Sequence, residues 1–219
     1  MYDISCRTTA FAALCEHMFT GIVRGLFPVV SIRDQQGLRT FVVSLSPELV
    51  EGLKTGASVA VDGVCFTATL INGNDVSFDA MEETLRKTTI GTLKEGDLVN
   101  IERSARMGDE IGGHVMSGHI STMAEIVEIQ ESENNKAMTF KVDPSWMRFV
   151  FSKGFVSLDG ASLTIVDAKK EKGTFEVWFI PETLRLTRFG LKRVGDRVNV
   201  EIDPQTQVIV ETVENILKK

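Results

Sequence analysis

The sequence of 219 residues is short of the features that announce several common protein classes. Cysteine occurs three times, at Cys6, Cys15 and Cys65, an odd number with no CxxC spacing, so no disulfide framework is readable. Histidine also occurs three times, at His17, His114 and His119, too few and too scattered for a closed zinc site, and no metal is expected. No apolar run approaches the roughly 18 residues that a membrane span needs, and the start of the chain lacks the basic residues and long apolar stretch of a signal peptide. The expected location is the cytoplasm, with no membrane partner. Basic residues are outnumbered 24 to 30, and a net charge of -6 repels phosphate backbones, while 7% aromatic residues offer few stacking platforms for bases. No nucleic-acid partner is expected.

What the chain does have is the ordinary balance of a soluble globular protein, 43% apolar and 25% charged, together with an internal repeat. Shifted by 97 positions, the run from Val59 to Thr67, with Asp62-Gly63 inside it, overlies the run from Val156 to Thr164, with Asp159-Gly160 inside it. A two-residue insertion near Lys170 changes the shift to 99. Then Glu83-Thr84-Leu85-Arg86 overlies Glu182-Thr183-Leu184-Arg185, and Gly96-Asp97, Asn100 and Glu102 overlie Gly195-Asp196, Asn199 and Glu201.

Each copy opens with a short strand, around Ile22 to Ile32 or Ile120 to Ile129. A strand of period two follows, with Phe41, Val43 and Leu45 or Met138, Phe140 and Val142 on one face. Ser46-Pro47 and Asp143-Pro144 then place a capping residue and a proline at the start of a short helix, with Leu49, Val50 and Leu53 or Trp146, Met147 and Val150 inward. Short strands broken by Asp-Gly, Asn-Gly and Gly-Asp turns complete the copy. The fold class expected is mainly β: two homologous six-stranded Greek-key β-barrels in tandem, closure leaving no free sheet edge, plus a C-terminal α-helix. The divisions expected are 18–114 and 115–203 for the barrels and 204–219 for an oligomerisation helix whose apolar stripe is Ile209, Val213, Ile216 and Leu217. Such a stripe packs either on other chains or on its own barrel. Residues 1–17 match nothing in the second copy and are expected to be a disordered extension or a vector remnant ahead of a functional start at Met18.

Three segments together, Met18-Phe19-Thr20-Gly21-Ile22-Val23, Gly112-Gly113-His114-Val115-Met116-Ser117-Gly118-His119 and Asp159-Gly160 with Ser162-Leu163-Thr164, resemble the riboflavin synthase family, the two-barrel lumazine-binding enzymes. The resemblance runs from Met18 to the C-terminal helix. It implies a homotrimer that disproportionates two molecules of 6,7-dimethyl-8-ribityllumazine by four-carbon transfer, giving riboflavin and 5-amino-6-ribitylaminouracil. No cofactor or metal is implied, because the acidic 7-methyl group of the substrate supplies the carbanion and its ring the acceptor. The protein contributes mainly position. The reacting site is implied between the first barrel of one subunit and the second barrel of another. An association with lumazine synthase is in keeping with the family, although no feature of the sequence reports one.

Carried over by that resemblance, the first lumazine is expected against Gly21, Ile22 and Val23, against Cys65, Phe66 and Thr67, and against Asp79, Ala80, Met81, Glu82, Glu83 and Thr84, with Phe19 and Thr20 bordering the reacting pair. The second is expected against Gly118, His119 and Ile120, against Lys153, against Ser162, Leu163 and Thr164, and against Phe179, Ile180, Pro181, Glu182, Thr183 and Leu184. The catalytic candidates are His119, Ser162, Cys65 and Asp203. His119 has a side chain whose ordinary pKa suits moving a methyl proton, and Ser162 can activate water at the same ring. Cys65 can add to an electron-poor carbon or simply hold the ring, and burial alone accounts for many lone thiols. Asp203, followed by Pro204, reads as a helix cap or as a carboxylate that orients His119. His114 reads as part of the link between barrels. The two copies differ where it matters, Cys65 against Ser162 and Ile22 against His119, which points to a division of labour. The competing reading is a non-catalytic lumazine- or flavin-binding antenna, for which the second site would be degraded.

Overall fold

The computed structural model describes residues 18–133 and 135–218, so the expected extension 1–17 lies outside the described residues. The first barrel comprises β1 (Gly25–Gln35), β2 (Leu38–Ser44), α1 (Pro47–Val50), β3 (Ser58–Val61), β4 (Val64–Asn72), β5 (Asp75–Met81), α2 (Glu82–Lys87) and β6 (Leu98–Arg103). The second comprises β7 (Thr122–Glu131), β8 (Lys136–Lys141), β9 (Phe155–Leu158), β10 (Ala161–Lys169), β11 (Thr174–Phe179), α3 (Pro181–Leu186) and β12 (Arg197–Ile202), and α4 (Pro204–Leu217) follows it. Both sheets close in the same order, β1-β2-β5-β4-β3-β6 and β7-β8-β11-β10-β9-β12.

Closure explains why the first strands are long rather than short. A register shift between Val29 and Ser31 bends β1, so that its first part pairs with β6 and its second with β2. Another between Ile126 and Glu128 does the same for β7. The two-residue insertion falls in the β10–β11 hairpin, where a 3₁₀ turn at Lys170–Lys172 ends on Gly173 with left-handed backbone. The short helix expected after Pro144 is a 3₁₀ turn over Pro144–Phe149, capped by the Asp143 side chain. Helices α2 and α3, one per barrel and each followed by a 3₁₀ turn, carry no strong apolar period and were not anticipated.

Alternation sorts the strand side chains. Along β4, Val64, Phe66 and Ala68 are buried while Cys65 and Thr67 face outward; along β10, Ala161, Leu163 and Ile165 are buried while Ser162 and Thr164 face outward. Phenylalanine clusters fill the interiors, Phe41, Phe66 and Phe78 in one barrel and Phe140, Phe175, Phe179 and Phe189 in the other. Burial of such side chains stabilises by about 1.5–3 kcal/mol each.

The barrels meet about a local two-fold axis. Residues that are equivalent in the repeat pair with each other, as an axis of that kind requires: Phe19 and Met116 exchange backbone hydrogen bonds of 2.9 Å each way. The turn glycines Gly63 and Gly160 lie so close that a Cβ on Gly63 would stand 2.5 Å from the Gly160 nitrogen. Each barrel also lends its leading segment to the other. Val23 belongs to the core of the second barrel, and Ile120 packs against the core of the first.

Candidate active site

The leading segments are held by buried carboxylates. Glu102 accepts hydrogen bonds from the Thr20 backbone N–H and hydroxyl at 2.7 and 2.8 Å and from the Gly21 N–H at 3.0 Å. Glu201 repeats the cradle with Ser117 N–H and hydroxyl, both 2.7 Å, and Gly118 N–H, 3.0 Å. Burial pushes both carboxyls above their ordinary pKa, and these donated hydrogen bonds pull against it. The cradles aim each glycine at the opposite barrel. Cys65 N–H donates to the Gly118 carbonyl at 2.9 Å, and Ser162 N–H donates to the Gly21 carbonyl at 2.9 Å. Only glycine fits there: Gly21 and Gly118 have φ of +75° and +77°, and a Cβ on Gly118 would come within 2.6 Å of the Cys65 Cβ.

The two expected residue sets are therefore crossed within the chain. Gly118, His119 and Ile120 join Cys65, Glu83 and Thr84 around a cleft of about 380 Å³, together with Val64, Lys87 and Thr88. Burial raises the Cys65 thiol, which a hydrogen bond with Ser58 opposes, so the form presented at neutral pH is the protonated thiol. Gly21, Ile22 and Val23 lie instead on the side of Ser162.

There the histidine in contact with the serine is His114, not His119. His114 Nδ1 is 2.6 Å from Ser162 Oγ, and its ring stacks on Phe155 with centroids 5.3 Å apart. It is 7% exposed, and its Nε2 meets no hydrogen-bond partner among the described residues. Burial lowers its pKa and the nearby Asp203 carboxylate opposes the shift, so the imidazole is neutral at physiological pH and able to accept a proton. His119 is exposed and lies with Cys65. Asp203 caps α4, accepting from Gln205 N–H at 3.2 Å and Thr206 N–H at 3.0 Å, and its imidazole neighbour is His114. Within one chain, then, the imidazole beside both Ser162 and Asp203 is that of His114.

Lys153 carries a further sign of constraint. Its φ is +68°, a left-handed conformation that costs a non-glycine residue on the order of 1–2 kcal/mol, and the equivalent position in the first barrel is Gly56. Both make the same hydrogen bond, Gly56 N–H to the Ala68 carbonyl at 2.8 Å and Lys153 N–H to the Ile165 carbonyl at 2.7 Å.

Comparison with known proteins settles the family. The lumazine binding domain matches twice, at residues 20–104 and 117–203. Riboflavin synthase of Escherichia coli (strain K12) is 54% identical over 201 residues, 91% of this chain and 93% of that one. The chain belongs to the riboflavin synthase family. Riboflavin synthase of Buchnera aphidicola subsp. Schizaphis graminum is 47% identical, over 92% of this chain and 97% of its own. The crystal structure of LumP complexed with riboflavin superposes with a TM-score of 0.78 over 84% of this chain and 98% of that one, at 23% identity, and shows that the fold is shared. Enzymes of the riboflavin synthase family are transferases, and membership at this identity assigns that role rather than the antenna reading.

Other residues expected on family grounds divide by exposure. Met81, Glu82, Glu83, Ile180, Pro181 and Glu182 are exposed, with Thr84, Thr183 and Leu184 half-buried on α2 and α3. Asp79 is exposed and accepts from the Thr40 hydroxyl at 2.6 Å, and Thr67 and Thr164 are exposed. Phe66, Ala80, Leu163 and Phe179 point into the barrels, which leaves only their backbone to a ligand; Phe19 and Thr20 are buried at the junction. Sequence reasoning missed Glu102 and Glu201, although their identity in both copies was a usable signal.

Proposed function

We propose that the chain catalyses the dismutation of two molecules of 6,7-dimethyl-8-ribityllumazine to riboflavin and 5-amino-6-ribitylaminouracil, moving a four-carbon unit from one to the other. The observation that carries this reading is the doubled, crossed site, in which one barrel offers Cys65 and the other Ser162 at the same position of the repeat, each facing a glycine segment lent by its partner barrel. A disproportionation needs two like substrates and no external oxidant, and two like sites with unlike reactive groups suit it. The protein's largest contribution is to hold both rings in register, which removes translational and rotational freedom before reaction.

The chemistry divides between the sites. At the second, His114 accepts a proton through or beside Ser162, the requirement for turning a ring methyl into a carbanion. At the first, Cys65 acts as a neutral hydrogen-bond donor to a ring atom, with Thr84 and His119 bordering the cleft. Lys153 reaches a substrate oxygen. Each reacting pair forms between the first barrel of one chain and the second barrel of another in a homotrimer, with α4 as the contact. The cytoplasm is the compartment this reading assigns, and an association with lumazine synthase belongs to it as well.

Mixing the purified chain with 6,7-dimethyl-8-ribityllumazine and following absorbance is the test. Formation of riboflavin is the result expected. Tight binding without conversion would overturn the enzymatic reading and leave a lumazine-binding antenna.

A further inference from the structure

The junction between the barrels breaks its own symmetry in charge. Asp62 and Asp159 occupy equivalent turns and are both 0% exposed, and both carboxylates are met by cations of the second barrel. Arg188 Nη1 lies 2.6 Å from Asp62 Oδ2, reaching across the junction. Lys192 Nζ stands 3.1 Å from Asp159 Oδ2 within its own barrel, while its hydrogen bond goes to the Arg197 carbonyl at 2.7 Å. The equivalents of these cations in the first barrel are Thr89 and Leu93. The asparagine contacts of the same turns are reciprocal: Asn100 Nδ2 donates to the Asp159 carbonyl at 2.7 Å and Asn199 Nδ2 to the Asp62 carbonyl at 2.8 Å. Arg188 N–H donates to Asn100 Oδ1 at 2.9 Å, as Thr89 N–H does to Asn199 Oδ1 at 2.8 Å.

The placement of Arg188 gives this asymmetry a use. It stands two residues beyond the end of α3, the helix with Glu182 and Thr183 at the second site, and it grips the turn from which β4 runs to Cys65, three residues on. One side chain thus ties the helix of one site to the reactive strand of the other. We propose that Arg188 is a positioning residue for the transfer reaction, fixing through Asp62 the strand that carries Cys65 relative to α3. The proposal rests on the dismutation reading above.

Removing Arg188 alone strands a buried carboxylate, which endangers folding for reasons unrelated to catalysis. The test therefore uses the full chain with the neutral pair Asp62→Asn/Arg188→Met, beside the conservative Arg188→Lys, both in a Cys6→Ser/Cys15→Ser background that leaves Cys65 as the single thiol. The neutral pair should keep KM for 6,7-dimethyl-8-ribityllumazine within about threefold while kcat falls about tenfold or more, because small displacements of reacting groups are costly. Cys65 labelling by a maleimide should change in rate by about threefold or more, since the turn holding its strand is loosened. Arg188→Lys should recover most of both. Wild-type kcat and wild-type labelling in the neutral pair would overturn the proposal and leave Arg188 a purely structural ion pair. A wild-type chain that binds the lumazine without converting it would sink the dismutation reading instead, and the labelling comparison would still decide whether Arg188 positions Cys65.

Discussion

At Ser162 a half-buried hydroxyl on an outward strand position touches an imidazole that burial keeps neutral, and among the described residues no second pair of this kind occurs at Cys65, the equivalent position of the first barrel. Ser162→Ala should leave lumazine binding at the first site intact and lower kcat by about 10²-fold or more, the usual scale for a general acid-base contribution, as steady-state kinetics beside a fluorescence titration would show. The pH dependence follows from the lowered pKa of His114, whose first cause is burial, opposed by Asp203. A group with a depressed folded pKa contributes stability that is present above its unfolded value, near 6.5, and lost as pH falls through the folded value. The acid limb of kcat should therefore lie below pH 6.5 and disappear in His114→Asn, whose denaturation midpoint should also fall less than that of the wild type on acidification. An unchanged acid limb in the variant would assign the proton to another group.

At the scale of single elements the turns and their glycines matter most. Gly160→Ala places a Cβ 2.8 Å from the Gly63 nitrogen at a φ of +82°, so the junction has to open. The expected loss is about 2 kcal/mol or more, read as a lower urea midpoint. Lys153→Gly should do the reverse: relief of the left-handed strain leaves stability unchanged or raised by up to about 1 kcal/mol, while KM for the lumazine rises. Elements were legible where a local signal exists. The repeat gave two barrels, the period-two strands gave their inner faces, and Asp203-Pro204 gave the start of α4. Helices α2 and α3 escaped because six residues at a barrel mouth need no apolar stripe. Candidate residues can be named from the sequence but their grouping cannot, since no pattern along a chain reports that Gly21 crosses to Ser162 and Gly118 to Cys65. His114 reads along the chain as a linker residue for the same reason: its partner is 48 residues away.

Across the whole molecule, the local two-fold axis gives one chain two candidate sites, and α4 stands outside that symmetry. Its half-buried side, Thr206, Gln207, Val210 and Glu214, rests on the second barrel, with Val210 at the core and an Arg148–Glu214 ion pair of 3.0 Å. The stripe read from the sequence is the other side: Ile209, Val213, Ile216 and Leu217 are 49% to 80% exposed, and Val208 beside them is exposed as well. Docking on the same chain is therefore not what this stripe does. Covering several such side chains is worth about 1.5–3 kcal/mol apiece, enough to drive association of helices from separate chains. Charging the centre of the stripe with Ile209→Lys/Val213→Lys leaves both barrels untouched. Sedimentation of this variant should give the mass of one chain, while lumazine titration of the first site stays as in the wild type. If each reacting pair is assembled from two chains, turnover per chain should fall about tenfold or more at low protein concentration and recover as concentration rises, because association then limits the number of complete sites. Full turnover by a monomeric variant, independent of concentration, would instead place both reacting lumazines on a single chain and reduce α4 to a stabilising contact.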